Sequence, residues 1–437
     1  MNSKNTKSLV KICFITYCII LMCQILAQGY ICYNNALYSE QYYTFWHFSE
    51  WLINYEGGFV RRGLCGEILL FLYNTLGINI SVVLYIISYT STITLIMLTF
   101  IIFKRKGLSF ILLPTVIALG GFAMNIVPAY RRDTVILLFI FAIFYLYRQY
   151  HNSNKFTYYI LFCICSIAVI LMHEASFFLF VPAIFIHRLI NGKGRTFLIN
   201  SANSTALIFP IIITMGSVCL FSGDRETANA IWESYTPFFN EIFGKIPEMG
   251  LGVEALTWDS LETFKFHFAT NYTEPLVGAV PRWVAWIAIF LLTFYLCANV
   301  NMLKIFSYEK EGVNFTRLTE ILIFQFISLS LMFTILSCDL RRVVIYWTLS
   351  SFFIYTMLGE GWQTDIPIIN NAAIRINRLF NKNRILSNKV FYIVIAITLI
   401  CPYSGFPLET AYKSSIVGNI FELLKRGADI VLPYLDF

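Results

Sequence analysis

Apolar residues dominate this chain in long runs separated by short polar stretches. Eleven runs have the length and uniformity that predict helices crossing a hydrocarbon layer about 30 Å thick. They are Ile12–Ala27, Ile80–Phe103, Leu108–Val127, Thr134–Tyr147, Phe156–Leu171, Ala175–Ile186, Phe197–Phe221, Val284–Val300, Leu318–Leu336, Val343–Leu358 and Val390–Ile400. None alternates apolar and polar residues as the strands of an outer-membrane barrel do. Lipid offers the backbone no hydrogen-bond partners, so each span must close its own as a helix. The expected fold is an all-α polytopic integral membrane protein, one transmembrane domain over residues 1–437 with about eleven spans. No internal repeat is visible, so a carrier built of two equivalent halves is not expected.

Composition agrees. Hydrophobic residues make up 58% of the chain, charged ones 13%, and the mean hydropathy is +0.67. A soluble domain carries about 25% charged residues. The eleven cysteines are scattered with no C-x-x-C pair, which excludes a zinc or redox motif of that kind. They read as small buried hydrophobes, with a disulfide among Cys32, Cys65, Cys338 and Cys401 left open. Ile12–Ala27 follows Lys4, Lys7 and Lys11 and lacks a small-x-small cleavage site, which predicts an uncleaved signal anchor.

The positive-inside rule orients the spans. With the N-terminus in the cytoplasm, the inner side holds nineteen of the 32 Lys and Arg residues and five acids. A single long helix over Phe156–Ile186 would put Lys304–Arg317 and Arg375–Lys389 outside, against that rule. Two short spans joined near the outer face at His173 and Glu174 keep them inside. The outer features are then a first loop over residues 28–79 with an interfacial helix, the turn Pro128–Asp133, a large loop over residues 222–283, the stretch Asp339–Arg342, and the C-terminal tail over residues 402–437. Within the tail, Val417–Arg426 reads as an interfacial helix.

Three Arg-Arg pairs, Arg61-Arg62, Arg131-Arg132 and Arg341-Arg342, fall at outer ends of helices, where cations are disfavoured. Guanidinium groups bind phosphate oxygens in bidentate fashion, so these pairs suit a pyrophosphate; pairing with local acids such as Asp133 or Asp339 is the plainer reading. Glu56-Gly57-Gly58 opens the stretch ending Arg61-Arg62-Gly63-Leu64. Its glycines allow close backbone approach to a ligand, and the helix after Gly63 aims its first amides at an anion. In that helix Leu64, Ile68, Leu69, Leu72 and Leu76 predict an apolar stripe. His173 and Glu174 lie at membrane depth, where ionisable residues are costly. A carboxylate in apolar surroundings has a raised pKa and can take a proton from a hydroxyl. Asp339 is a second candidate base. His47 and His267 lie among aromatics that read as a headgroup belt, with sugar stacking as the alternative. No phosphate-binding glycine loop of the G-x-x-x-x-G-K-[ST] type, no zinc-protease motif and no nucleic-acid signature is present. No cofactor or metal is expected.

In its span number, large outer loop, arginine-rich helix ends and the EGGFVRRGL stretch at Glu56–Leu64, the chain resembles the Wzy-type O-antigen and capsule repeat-unit polymerases of bacteria. That resemblance implies transfer of a growing glycan from undecaprenyl pyrophosphate to a lipid-linked repeat unit. It implies a metal-independent reaction at the periplasmic face of the inner membrane, with a chain-length regulator and a flippase as partners besides the lipid bilayer. It points to Arg131, Arg132, Arg341 and Arg342, then Arg61 and Arg62, as the pyrophosphate-binding residues. Two alternatives stand beside it. A metal-dependent GT-C glycosyltransferase would place paired acids in the first outer loop, which here has Glu40, Glu50 and Glu56 but no adjacent acid pair. A lipid-linked oligosaccharide flippase would need charges lining both leaflets.

Overall fold

The computed structural model describes residues 8–16, 18–19, 22, 40–105, 108, 132–192, 196–269, 275–277, 280–281, 314–334, 340–359, 362 and 366–382. The predicted spans Val284–Val300 and Val390–Ile400, nearly all of Leu108–Val127, about half of Ile12–Ala27, and the whole C-terminal tail lie outside these residues. Among the described residues, regular structure is helical apart from one short antiparallel hairpin pairing Pro275–Val277 with Val280–Pro281.

The main helices are α1 (Leu64–Leu76), α2 (Ile80–Arg105), α3 (Asp133–Ser153), α4 (Phe156–Met172), α5 (Phe177–Ile190), α6 (Phe197–Leu220), α7 (Arg225–Ser234), α8 (Thr236–Phe243), α9 (Ser260–Phe268), α10 (Phe315–Ser328), α11 (Leu340–Leu358) and α12 (Pro367–Lys382). Three of them, α2, α3 and α6, are long and apolar enough to cross a membrane. The stretch from Phe156 to Ile190 is two helices. His173 takes an extended conformation (φ −162°, ψ 114°) and caps a single 3-10 turn, Glu174–Ser176. Its ring Nδ1 accepts from the Ala175 amide at 3.3 Å, and Ser176 Oγ donates to the Val169 carbonyl at 3.1 Å.

Side-chain contacts fix the direction of each helix. At the start of α3, Arg132 donates to the carbonyl of Met172, the last residue of α4, at 2.9 Å. Near its far end, Tyr147 hydrogen-bonds His187 of α5 at 2.8 Å, and Arg188 lies 3.4 Å from His151. Thus α3, α4 and α5 run alternately down, up and down. The chain leaves α6 at Phe221, whose carbonyl accepts from the Arg61 amide at 3.0 Å. Helix α11 starts against Asp133 through Arg342 and reaches the far end, where Phe352 packs edge-on against Phe103 of α2. The loop around Arg62, the start of α3, the α4–α5 joint, the end of α6 and the start of α11 therefore meet at one end of the bundle.

Two apolar cores follow. The larger joins α2 to α6 with α10 and α11. The second lies at the end just described and joins the first loop to the large one: Tyr43, Phe48, Trp51, Leu52 and Ile53 pack against Trp232, Tyr235, Phe238 and Phe239. Hence the two long loops form one folded cap with an interior of its own.

Two expectations change. In α1 the buried face is Cys65, Gly66, Leu69 and Leu70, while Ile68, Phe71 and Leu76 are exposed. The cause is Gly66: its amide donates to the Ile53 carbonyl, and a Cβ there would lie 2.1 Å from that oxygen. This contact turns Gly66 inward and the expected stripe partly outward. The second change is α12, which covers part of the predicted inner loop Arg375–Lys389. It is apolar on one face only, so it leaves no long apolar run in the sequence. Ile369, Ala373 and Asn377 form its buried face, and Asn377 accepts from Thr319 of α10 at 3.1 Å.

Candidate functional site

The second arginine of each Arg-Arg pair turns into the same place. Arg62 reaches Glu174 with two parallel bonds, Nε to Oε2 at 2.9 Å and Nη2 to Oε1 at 2.5 Å. Arg132 pairs with Glu50 at 3.3 Å and also donates to the carbonyls of Met172 and, at 3.4 Å, Arg62. Arg342 donates to Asp133 at 2.8 and 3.0 Å and lies 4.0 Å from Glu50. The phenol of Tyr346, one turn further along α11, also donates to Asp133. Three arginines and three acids from five separate stretches of chain thus form one network.

Glu50 stands at its centre. It occupies a 3-10 turn, Glu50–Leu52, in an otherwise aromatic stretch, and the Trp46 indole N–H donates to it. Burial alone would raise its carboxyl; the charges of Arg132, Arg342 and Arg62 overcome that and hold it below the ordinary carboxylate range. The side chains of Arg132 and Glu50 are 0% and 3% exposed, whereas Arg62 and Arg342 keep 17% and 12%. Taking an ion out of water costs several kcal/mol, so Glu50 and Arg132 are tolerable there only together. Arg62 and Arg342 are the guanidinium groups of the network that a ligand can reach.

The expectation of a raised pKa at Glu174 is overturned. Burial does push its carboxyl up, but the charge and hydrogen bonds of Arg62 outweigh burial and hold it well below the ordinary range. His173 moves the other way from a typical base. Burial and the Arg62 charge lower it to about 3, and its Nδ1 already accepts from Ala175. The ring is therefore neutral, with its proton on Nε2.

The glycine motif also has a different role from the one expected. Gly57 packs on α7, where a Cβ would lie 2.8 Å from Thr227 backbone atoms. Gly58 takes φ +100°, which favours glycine. Glu56 is exposed and outside the network. At the N-terminus of α1 the Gly66 amide is engaged by Ile53, so fewer donors point at an anion than expected. Arg61 lies at the edge of the site: it donates to the Ala255 carbonyl at 3.2 Å, and its buried Nε has no partner among the described residues. Cys65 is a free thiol. Arg131, Asp339 and the side chain of Arg341 lie outside the described residues.

Sequence reasoning missed the central roles of Glu50, Trp46 and Tyr346. The one available signal for Glu50 was a lone carboxylate in the aromatic stretch Tyr42–Tyr55. Nothing in the sequence marks Tyr346, which is one of many aromatic residues in its helix. Arg62 has φ +66°, a left-handed conformation uncommon outside glycine; the loop holds that shape while Glu174 grips its side chain.

Chemically, the network is charge-balanced with His173 neutral, and Arg61 adds positive charge at its rim. It can exchange a carboxylate partner of Arg62 or Arg342 for an external anion. Among the described residues no group of three His, Cys, Asp or Glu side chains is arranged to hold a metal ion. No family model, curated protein or solved structure matches this chain.

Proposed function

We propose that this protein polymerises lipid-linked oligosaccharide repeat units, of the O-antigen or capsule kind, at the periplasmic face of the bacterial inner membrane. The observation that carries this reading is the convergence of Arg62, Arg132 and Arg342 at one end of a helical bundle. Under the charge rule that end is the outer one, with the N-terminus inside and about eleven spans.

In the proposed reaction an acceptor hydroxyl attacks the anomeric carbon of a glycan carried on undecaprenyl pyrophosphate. The bond from that carbon to the pyrophosphate oxygen breaks, and the pyrophosphate leaves with the bonding electrons. Preorganised cations aimed at developing negative charge are often the largest catalytic effect. Arg62, Arg342 and Arg61 supply them, and buried Arg132 fixes the geometry. When the pyrophosphate takes Arg62, Glu174 loses its counter-charge. Its carboxyl then rises toward the ordinary range, which equips it to accept the hydroxyl proton. His173 holds the turn that carries Glu174, its Nδ1 accepting from the Ala175 amide.

One observation favours a second reading, a GT-C-type glycosyltransferase using a polyprenyl-phosphate donor. The buried carboxylate at the centre of the network, Glu50, belongs to the first loop, where that class carries its acid. Proteoliposomes supplied with lipid-linked repeat units separate the two. The first reading expects polymer and released undecaprenyl pyrophosphate with EDTA present. Activity only with a polyprenyl monophosphate sugar, abolished by EDTA, would replace it with the second.

A further inference from the structure

The cap carries an open groove of about 650 Å³, lined by Glu40, Thr44, Phe45, Lys245, Ile246 and Glu248. The first-loop segment that lines it is anchored on both sides. Tyr43 is fully buried among Phe48, Phe238, Phe239 and Phe243 and hydrogen-bonds Ser81. On the other side, Trp46 turns inward to Glu50. Between these anchors Phe45 is extended (φ −70°, ψ 145°) and interrupts two single helical turns, Gln41–Thr44 and Trp46–Ser49. Phe45 lines the groove and is 47% exposed. The facing wall, residues 245–252, is tied back to the same segment, since the Gly252 amide donates to Ser49 Oγ at 2.8 Å.

We infer that this groove is the binding subsite for the saccharide of the acceptor repeat unit, and that it selects neutral or amino sugars. The inference rests on the polymerase reading above. The groove is open, and polar side chains alternate with one aromatic face and one aliphatic side chain. That arrangement suits a polyhydroxylated ring, whose C–H face packs on Phe45 while its hydroxyls meet Glu40, Glu248, Thr44 and Lys245. It does not suit an isoprenoid tail, which needs an enclosed apolar channel. Lys245 is already paired with Glu40 at 2.9 Å, so Glu248 leaves the groove net negative and repels an acidic sugar. Phe45 adjoins Trp46, whose indole bonds Glu50, so the groove and the arginine network share one anchoring segment of the first loop.

The test uses the full-length protein in proteoliposomes, with lipid-linked repeat units extracted from host membranes. Phe45→Ala and Glu248→Gln both alter exposed side chains. Phe45→Ala is expected to raise KM for the repeat unit about tenfold with kcat within twofold, as loss of one buried aromatic face implies. Glu248→Gln is expected to raise KM by a smaller factor and to weaken the rejection of repeat units bearing a uronic acid. An unchanged KM in Phe45→Ala, or a fall in kcat alone, overturns the subsite. Arg342→Met runs in parallel: full turnover in that variant would instead defeat the polymerase reading on which the subsite depends.

Discussion

Arg62 and Glu174 are separated by 112 residues in the chain, yet they form a two-bonded ion pair at the mouth of the bundle. Each explains the other's conformation. The break at His173 lifts Glu174 out of α4 and α5, and the left-handed backbone of Arg62 turns its side chain toward that break.

Removing one partner of this pair leaves the other buried and unpaired, which costs about 3–5 kcal/mol. Glu174→Gln and Arg62→Met should each lower the melting temperature in detergent, and the double variant should lose less than the sum of the two. Strictly additive losses would show that the pair does not act as a unit.

Tyr346 donates to Asp133 alongside Arg342. Tyr346→Phe keeps the ring and removes one hydrogen bond to a charged group, a loss of about 1.5–3 kcal/mol. Chemical denaturation of the purified protein checks this value. A variant as stable as the parent would show that Arg342 alone satisfies Asp133.

Acid should loosen the site before it unfolds the bundle. His173 titrates near 6.5 when unfolded and near 3 when folded, so the unfolded chain binds more protons between those values. Its contribution is complete above pH about 6.5 and declines as pH falls toward about 3. Glu174 has the same sign: its lowered carboxyl stabilises the fold above the ordinary carboxylate range and loses that effect as pH falls through its folded value. Melting temperatures between pH 4 and 7 should rise with pH, and the slope should flatten in His173→Gln. A slope unchanged in that variant would remove His173 from the account.

The cap depends on a glycine where backbone meets backbone. Gly66→Ala brings a Cβ 2.1 Å from the Ile53 carbonyl oxygen, and crowding of this kind costs about 1–3 kcal/mol. Limited proteolysis should cut the first loop faster in this variant; an unchanged cleavage rate would mean that the contact yields without strain.

Much of this architecture is legible in the sequence for physical reasons. Lipid-length apolar runs mark α2, α3 and α6, and the His173-Glu174 interruption separates α4 from α5. The Arg-Arg pairs mark the ends of three segments that the fold brings together, through Arg62, Arg132 and Arg342. The sequence does not say that one arginine of each pair meets an acid from a distant segment. Arg342 with Asp133, and Arg132 with Glu50, are tertiary pairings that no local spacing encodes. Helix α12 escapes for a different reason: with a single apolar face it lacks the continuous run that identifies a span. Lowering of the Glu174 carboxyl was likewise hidden, since burial alone predicts the opposite sign and only the position of Arg62 reverses it.

The central claim is that the convergent arginines serve an anionic, pyrophosphate-linked glycan donor. The most direct measurement is the length distribution of the surface glycan in cells whose sole copy of this protein carries Arg62→Met or Arg342→Met, with membrane protein level recorded in parallel. At matched amounts of membrane-inserted protein, both variants should yield only single repeat units. Full-length glycan ladders in both would contradict it.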